Sequence, residues 1–213
     1  MILYLHGFAS GPSSSKARGM AERFARLGVP LAIPDLTPGE QGFERSTPSS
    51  MLAIAEAALA SAPPPHAIVG SSLGGYLAAL AASRGAGVER LVLMAPAFRL
   101  AERWLSRLSP EQLRRWKEEG LEVDHFATGR RRRIGHAFME DARRWPPLPE
   151  VRVPALCIAG SRDEVVPLAD VEEWVARTPS ARLLVVDDGH QLLASLDRIF
   201  EEARAFLRPV TGA

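Results

Sequence analysis

Short apolar runs alternate with amphipathic stretches along most of the chain. The runs lie at residues 2–5, 31–33, 66–70, 90–95, 155–160 and 183–186. Apolar runs of this length, bounded by turn residues, predict buried strands, and the amphipathic stretches between them predict helices that cover a sheet. The pattern therefore indicates an α/β fold with a mostly parallel sheet of about six strands and helices on both faces.

Capping residues mark the ends of several predicted helices. Thr47 before Pro48 predicts the start of a helix that runs through Ala60, because threonine caps free N–H groups and proline suits the first turn. An apolar stripe near the end of the chain predicts a final core-packing helix. We expect Pro209 to end that helix, since proline interrupts helical hydrogen bonding.

Residues 98–147 differ in character from the alternating pattern around them. Ser109-Pro110-Glu111-Gln112 is a capping box, and residues 135–145 form a second helical candidate. The segment also carries more aromatic bulk than a simple loop needs, including Trp104 and Phe138. We predict a helical cap insertion over the site of one domain that spans residues 1–213.

The motif Gly-Ser-Ser-Leu-Gly at residues 70–74 joins a predicted strand to a predicted helix. This G-x-S-x-G arrangement in that context is typical of a nucleophile elbow, in which a tight turn exposes one serine. Gly70 and Gly74 flank Ser72, where a Cβ would collide as the chain turns back and where glycine also tolerates positive φ. The register predicts Ser72 as the nucleophile and leaves Ser71 to pack locally.

A serine nucleophile needs a histidine base and an acid that orients it. His190 follows the last apolar run and a turn, and Asp163 lies on the loop after the preceding run. Glu164, Asp187 and Asp188 are the rivals for the acid. The chain order Ser72, Asp163, His190 is the order found in α/β-hydrolases. His125 and His136 fall in the insertion without the spacing of ligands on one helix face.

The loop His6-Gly7-Phe8-Ala9 after the first strand is the candidate for part of an oxyanion hole. An oxyanion hole needs two fixed N–H donors, one from the residue after the nucleophile and one from an early loop. We predict the backbone N–H groups of Leu73 and Phe8 as these donors, with Ala9 second to Phe8. His6 is expected to fix the loop by a side-chain hydrogen bond. Phe8, Trp104 and Phe138 are the predicted substrate-binding residues, and no metal or other cofactor is expected.

Four motifs together resemble the small bacterial esterases of the α/β-hydrolase superfamily. They are Tyr-Leu-His-Gly-Phe at 4–8, Gly-Ser-Ser-Leu-Gly-Gly-Tyr at 70–76, Asp-Glu-Val at 163–165 and Gly-His at 189–190. The resemblance implies an α/β-hydrolase fold that lacks the usual N-terminal antiparallel hairpin, and hydrolysis of simple acyl esters or thioesters. It is poor between about 98 and 150, and Gln191-Leu192 stand where the family tends to have a small residue and an aromatic one.

Charge and composition narrow the expected partners. The 213 residues carry 26 basic and 25 acidic side chains, and this net charge of +1 gives no overall field that would select nucleic acid or membrane. Only Lys16 and Lys117 are lysines, and the single Cys157 excludes an intrachain disulfide and fits a reducing compartment. We expect a cytoplasmic protein. Arg130–Arg133 form one charge run, either a solvated face or a clamp for an anionic group.

The expected function is hydrolysis of small carboxylic acyl esters, with thioesters included, by a Ser-His-Asp acyl-enzyme mechanism. The partner is then a small-molecule acyl ester. A carbon–carbon bond or another acyl bond could be cleaved by the same triad, because the fold and the triad do not select the leaving group. A non-catalytic binding protein on a hydrolase scaffold is the alternative from another class. Acyl length and oligomeric state are left open by the sequence.

Overall fold

The computed structural model describes residues 1–212, which form eight strands and nine helices. The strands are β1 (Ile2–Leu5), β2 (Leu31–Ala32), β3 (His66–Ser71), β4 (Val88–Met94), β5 (Leu121–His125), β6 (Arg130–Ile134), β7 (Ala155–Gly160) and β8 (Ala181–Val186). The helices are α1 (Ser15–Ala25), α2 (Gly42–Arg45), α3 (Pro48–Ala60), α4 (Leu73–Ser83), α5 (Leu100–Arg107), α6 (Pro110–Glu119), α7 (Ala137–Ala142), α8 (Leu168–Ala176) and α9 (Leu196–Thr211).

Six strands form one sheet in the order β2-β1-β3-β4-β7-β8, and every neighbouring pair is parallel. All six correspond to apolar runs in the sequence. The strands β1, β3 and β7 are buried along their whole length, as expected where helices cover both faces. Parallel strands end at one common edge, so the loops after β1, β3, β7 and β8 meet there.

Two separate apolar cores lie on the two faces of the sheet. Helices α1 and α9 pack on one face, where Met20 and Phe24 meet the stripe of α9. Helices α3, α4 and α8 pack on the other face together with apolar residues of the insertion. The predicted α/β-hydrolase architecture, with helices on both faces, is confirmed.

The insertion between β4 and β7 contains a hairpin that the sequence analysis assigned to helical structure. Helices α5 and α6 are present, and Ser109 and Gln112 form the expected capping box. The segment from Leu121 to Ile134 instead forms the antiparallel pair β5–β6. The second helical candidate is shorter than residues 135–145, since α7 covers only residues 137–142. The insertion is therefore a mixed helical and hairpin cap.

The end of α9 also differs from the prediction. Pro209 lies inside the helix, which runs on to Thr211 and ends at Gly212 with a left-handed backbone. A proline in the last turn removes one hydrogen bond and does not end the helix there. The start of α3 follows the prediction, with Thr47 as N-cap and Pro48 in the first turn. Among residues 1–212, no helix combines the length and apolar character needed to cross a membrane.

Candidate active site

The turn between β3 and α4 has the geometry expected of a nucleophile elbow. Ser72 has φ 53° and ψ −117°, a backbone conformation that costs energy for any residue with a Cβ. A Cβ on Gly70 would lie 2.4 Å from the carbonyl oxygen of Gly74, and one on Gly74 would lie 2.1 Å from that of Leu5. Both glycines are therefore required for space. The positive φ falls on Ser72 and on neither flanking glycine, which differs from the sequence interpretation.

Ser72, His190 and Asp163 come together at the carboxyl edge of the sheet. The Ser72 hydroxyl Oγ lies 3.1 Å from His190 Nε2, and His190 Nδ1 lies 2.8 Å from Asp163 Oδ2. With Nδ1–H donating to the carboxylate, Nε2 is free to accept the serine proton. The Asp163 side chain is 2% exposed and that of His190 is 16% exposed, so solvent reaches the imidazole only in part.

Asp163 is held as a carboxylate by several hydrogen bonds. Its Oδ1 accepts from the N–H groups of Val165 and Val166, both at 2.8 Å. Burial alone would raise its pKa, but the hydrogen bond with His190 and these backbone donors hold the pKa below the ordinary value of an aspartate. The carboxylate is thus positioned to orient the imidazole and to stabilise its positive charge.

The rival acids occupy other positions. Glu164 and Asp187 are exposed, and Asp187 pairs with Arg162 at the surface. Asp188, the third rival for the acid, is buried. Its two carboxylate oxygens accept from the N–H groups of Gly189 and Ser195, at 2.8 and 2.9 Å. Asp188 therefore braces both sides of the loop that carries His190.

The loop after β1 lies close to Ser72. A Cβ on Gly7 would lie 3.4 Å from the Cβ of Ser72, so the two loops are in close contact. Within residues 1–212 the N–H groups of Phe8 and Leu73 donate no hydrogen bond. Free N–H groups next to a serine hydroxyl are what an oxyanion hole needs.

His6 fixes this loop in the manner that the sequence predicted. Its Nδ1 lies 3.0 Å from the carbonyl oxygen of Gly7, and its Nε2 accepts from the N–H of Leu36 at 3.1 Å. These partners define the neutral tautomer with the proton on Nδ1. Burial lowers the pKa of His6 despite the Gly7 carbonyl and Asp35, which raise it.

An aromatic cluster covers the loop after β1 from the side of the cap. The Phe8 ring lies 5.0 Å from Trp104, 5.3 Å from Phe43 and 5.4 Å from Phe138, measured between ring centroids. Phe138 and Phe43 are fully buried, whereas Phe8 and Trp104 are partly exposed. The structure thus brings together the three aromatic residues that the sequence predicted. It adds Phe43, which the isolated helical turn of α2 did not reveal.

Helix α5 of the cap is tied to the loop that carries Asp163. Arg103 and Arg107 both donate to the carbonyl oxygen of Val165, at 2.8 and 3.0 Å, and Arg107 also donates to that of Glu164. The sequence analysis assigned no role to these arginines. Their spacing on one helix face was the available signal.

The charge run Arg130–Arg133 forms strand β6 and makes mostly internal contacts. Arg132 donates to the carbonyl oxygen of Glu40 and lies over the Phe43 ring, while Arg133 pairs with Glu44. Arg131 donates to the carbonyl oxygen of Glu122. These contacts favour a structural role over an anion clamp.

Two cavities lie away from the candidate triad. One of about 710 Å³ is lined mainly by polar residues of α2 and α7 with Lys117, and one of about 210 Å³ lies beside Tyr76 and Trp145. Neither is lined by Ser72 or His190. Within the described part of the chain, no group of three or more His, Cys, Asp or Glu side chains could hold a metal ion.

Comparison with known structures places this arrangement in a class. A candidate hydrolase from Agrobacterium vitis S4 is 25% identical over 96% of this chain and 87% of that one, with a TM-score of 0.84. Mouse alpha/beta hydrolase domain-containing protein 10 is 22% identical over 98% and 89%, with a TM-score of 0.80. Est1E from Butyrivibrio proteoclasticus is 19% identical over 97% and 86%, with a TM-score of 0.78. The chain has the α/β-hydrolase fold, and these neighbours support a hydrolase of that superfamily.

The amino-acid sequence also shows the family of the chain. Residues 1–208 match the family described as "Uncharacterised protein family (UPF0227)", and the chain belongs to this family. No curated protein matches the chain.

Proposed function

We propose that the protein is a serine hydrolase that cleaves small carboxylic acyl esters, thioesters included, through an acyl-enzyme on Ser72. The observation that carries this proposal is the continuous hydrogen-bond relay from Ser72 Oγ through His190 to Asp163, with distances of 3.1 and 2.8 Å. A binding protein has no need for such a relay beside two free N–H groups. The relay is the arrangement that makes a serine hydroxyl nucleophilic.

The geometry supports two half-reactions. Ser72 Oγ attacks the acyl carbon while its proton passes to His190 Nε2, and Asp163 stabilises the imidazolium. The carbonyl oxygen becomes an oxyanion that accepts hydrogen bonds from the N–H groups of Phe8 and Leu73. Collapse of this intermediate breaks the acyl–oxygen bond, and the leaving alkoxide takes the proton from His190. Water then attacks the acyl-enzyme by the same route and releases the carboxylic acid.

The aromatic cluster supports an apolar acyl group. Phe8 supplies an oxyanion N–H and its ring contacts Trp104 and Phe138, so an acyl chain on Ser72 would meet aromatic surface. No cavity described above adjoins Ser72. We infer that Trp104 and the partly exposed Phe8 move aside when an acyl group enters, as lids and loops do in many enzymes.

Labelling with a fluorophosphonate probe tests the proposal. Wild-type protein should label and should hydrolyse p-nitrophenyl acetate and butyrate. Ser72→Ala should do neither, with a loss in kcat on the order of 10⁴-fold or more. Ser71→Ala is the matched variant and should still label, because the Ser71 hydroxyl is buried and bonded to Lys16.

The substrate panel should separate ester types. It should include acetyl, butyryl and octanoyl esters, a thioester and a feruloyl ester, the last because Est1E has also been solved with ferulic acid bound. Absence of labelling and of turnover in the folded wild type would contradict the proposal and favour a binding protein. Labelling without turnover of any ester would favour another acyl bond as the target.

A further inference from the structure

A buried lysine lies beneath the nucleophile elbow and takes no part in the mechanism above. Lys16, at the start of α1, is 6% exposed, and its ammonium Nζ donates to Ser71 Oγ at 2.9 Å. A buried ammonium is costly unless it is hydrogen-bonded and paired with negative charge. Ser71 is neutral, so the compensating charge must come from elsewhere.

That charge comes from the two loops that carry the other candidate catalytic residues. Asp163 and Asp188 are the carboxylates that interact electrostatically with the Lys16 ammonium. Asp163 orients His190, and Asp188 braces the loop of His190 through Gly189 and Ser195. Lys16 is thus placed where the serine, acid and histidine loops meet.

The other groups around the ammonium do not replace it. Tyr4 on β1 interacts with the Ser71 hydroxyl and is itself buried, and burial raises its pKa, so the phenol stays neutral. On the side of α9, Asp197 is exposed and is engaged by Arg23. Within residues 1–212 no lysine or arginine, Lys16 included, forms a hydrogen bond or an ion pair with Asp188, so Lys16 acts on this carboxylate by longer-range electrostatic attraction.

We propose that Lys16 is a positioning residue of the candidate triad, whose ammonium, held by Ser71, attracts the carboxylates of Asp163 and Asp188 and so holds their loops in the geometry that His190 needs. This inference rests on the proposed hydrolase function. Lys16 is one of only two lysines in a chain that otherwise uses arginine, and a compact ammonium suits a buried site with one hydroxyl acceptor.

The charge of Lys16 should depend on pH in a range where activity can be measured. Burial lowers its pKa to about 8, although Asp163 and Asp188 act in the opposite direction. The ammonium is therefore present at neutral pH and is lost as the pH rises through about 8. If the charge positions the triad, kcat should decline over that range while the protein stays folded.

The test compares full-chain wild type, Lys16→Met, Ser71→Ala and Lys117→Met in p-nitrophenyl butyrate hydrolysis across pH 5.5–9.5. Lys16→Met should lower kcat at pH 7 by about tenfold or more and change KM by less than about twofold. It should also remove the alkaline limb of the pH–rate profile, that is, the decline of kcat above about pH 8. Its acidic limb should move to higher pH by roughly half a unit, because loss of a nearby positive charge lets the imidazole bind its proton more readily. Ser71→Ala keeps the charge, so it should lose at most a few-fold in kcat and keep both limbs. Lys117→Met controls for removal of a lysine far from the triad.

Two results would overturn the inference. The first is a folded Lys16→Met variant whose kcat and pH–rate profile equal those of wild type. The second is a variant with lower kcat whose pH–rate profile keeps both its acidic and its alkaline decline, which would mean that Lys16 acts by packing only. If Lys16→Met does not fold, the wild-type profile decides, since a kcat that stays flat between pH 7 and 9.5 contradicts the inference. Failure of the proposed function is distinct from these results, because the wild type would then neither label with fluorophosphonate nor turn over ester.

Discussion

At the scale of single residues, the candidate site concentrates backbone conformations that side chains rarely adopt. Ala9 in the loop after β1, Ser72 at the elbow and Leu192 after His190 all have φ between 52° and 56°. Each of these residues lies in or beside a loop that carries a proposed catalytic group. Positive φ at such residues costs energy, and it persists where the surrounding packing determines the loop. Leu192 is fully buried, which provides that packing for the histidine loop.

The role of Asp163 can be separated from that of its neighbour Glu164 by two matched amide substitutions. Asp163→Asn should lower kcat by roughly 10³- to 10⁴-fold, because an amide facing Nδ1 favours the wrong imidazole tautomer. Glu164→Gln should stay within about a few-fold of wild type, since Glu164 is exposed and only its backbone carbonyl is bonded to the cap. The measurement is steady-state hydrolysis of p-nitrophenyl butyrate with thermal unfolding as a check on folding. Equal losses in the two variants would show that the loop matters and the specific carboxylate does not.

Ser72, Asp163 and His190, which the structure brings together, could be predicted as one site because each follows a strand that is recognisable from its apolar run. The sequence analysis missed what depends on contacts between distant segments. Asp188 was considered only as a rival for the acid, and only the fold shows that it is buried and bonded to Gly189 and Ser195. Lys16 was noted only as one of two lysines, since its neighbour Ser71 lies 55 positions away in the chain.

At the scale of elements, the hairpin β5–β6 shows where hydrophobic pattern fails as a guide. Leu121, Val123 and His125 face inward while Glu122 and Asp124 are exposed, so β5 does alternate with a period of two. The partner strand reads Arg-Arg-Arg-Arg-Ile and carries almost no apolar signal. Its arginines gain their contacts from Glu40, Phe43 and Glu44, which no local pattern indicates. The inner strands β1, β3 and β7 were predicted because burial on both faces requires continuous apolar runs.

The hairpin also links the cap to the loop after β1. The N–H of Ala127, near the hairpin tip, points to the carbonyl oxygen of Ala9 at 3.4 Å, and α5 is bonded to the acid loop through Arg103 and Arg107. The cap therefore contacts two of the loops that form the candidate site. We therefore predict that the cap governs access to Ser72 more than the chemistry performed there.

The cap should set acyl preference, and Trp104 is the residue that tests this. Trp104→Ala removes the ring that lies 5.0 Å from Phe8 and should raise kcat/KM for octanoyl relative to acetyl esters. The change in that ratio should be about tenfold or more, as for a few methylenes gained or lost in an apolar pocket. Trp104→Phe is the matched variant and should keep a ranking close to wild type. Phe138 is less suitable for truncation, because it is fully buried and its loss should cost about 3–5 kcal/mol of stability.

If Trp104→Ala changes kcat/KM for acetyl, butyryl and octanoyl esters by one common factor, the insertion is a structural cover. The acyl pocket would then lie elsewhere, near Phe8 and the loop after Asp35.

At the scale of the whole molecule, the net charge is only +1. We therefore expect individual buried groups to determine how the free energy of unfolding depends on pH. His6 and His125 are almost fully buried, and burial is the main cause that lowers the pKa of each. His66 is also buried with a lowered pKa, and its Nδ1 has no hydrogen-bond partner within residues 1–212. These three histidines stay neutral in the folded protein at pH values where they would be protonated in the unfolded chain.

The sign of the resulting pH dependence follows from proton counting. Below the ordinary histidine pKa of about 6.5, the unfolded chain binds protons that the folded protein does not bind. The free energy of unfolding therefore falls as the pH falls. The carboxylate of Asp163, whose pKa is lowered, adds its own loss only below the ordinary aspartate value of about 3.9. The window between pH 6.5 and about 5 therefore belongs to the buried histidines.

Urea unfolding at pH 7.5, 6.0 and 5.0 should show this loss as a steady decrease in the free energy of unfolding. Each histidine contributes at most about 1.4 kcal/mol per pH unit within the window. His125→Phe is the informative variant, since His125 packs against Phe43 at 4.6 Å between ring centroids and its Nε2 has no partner within residues 1–212. Replacing it should leave a shallower decrease, and the variant should gain stability relative to wild type at pH 5.0 although it loses the contact with Thr128. A slope equal to that of wild type would mean that His125 titrates in the folded protein as it does in the unfolded chain, and that its burial does not govern the acid stability of the fold.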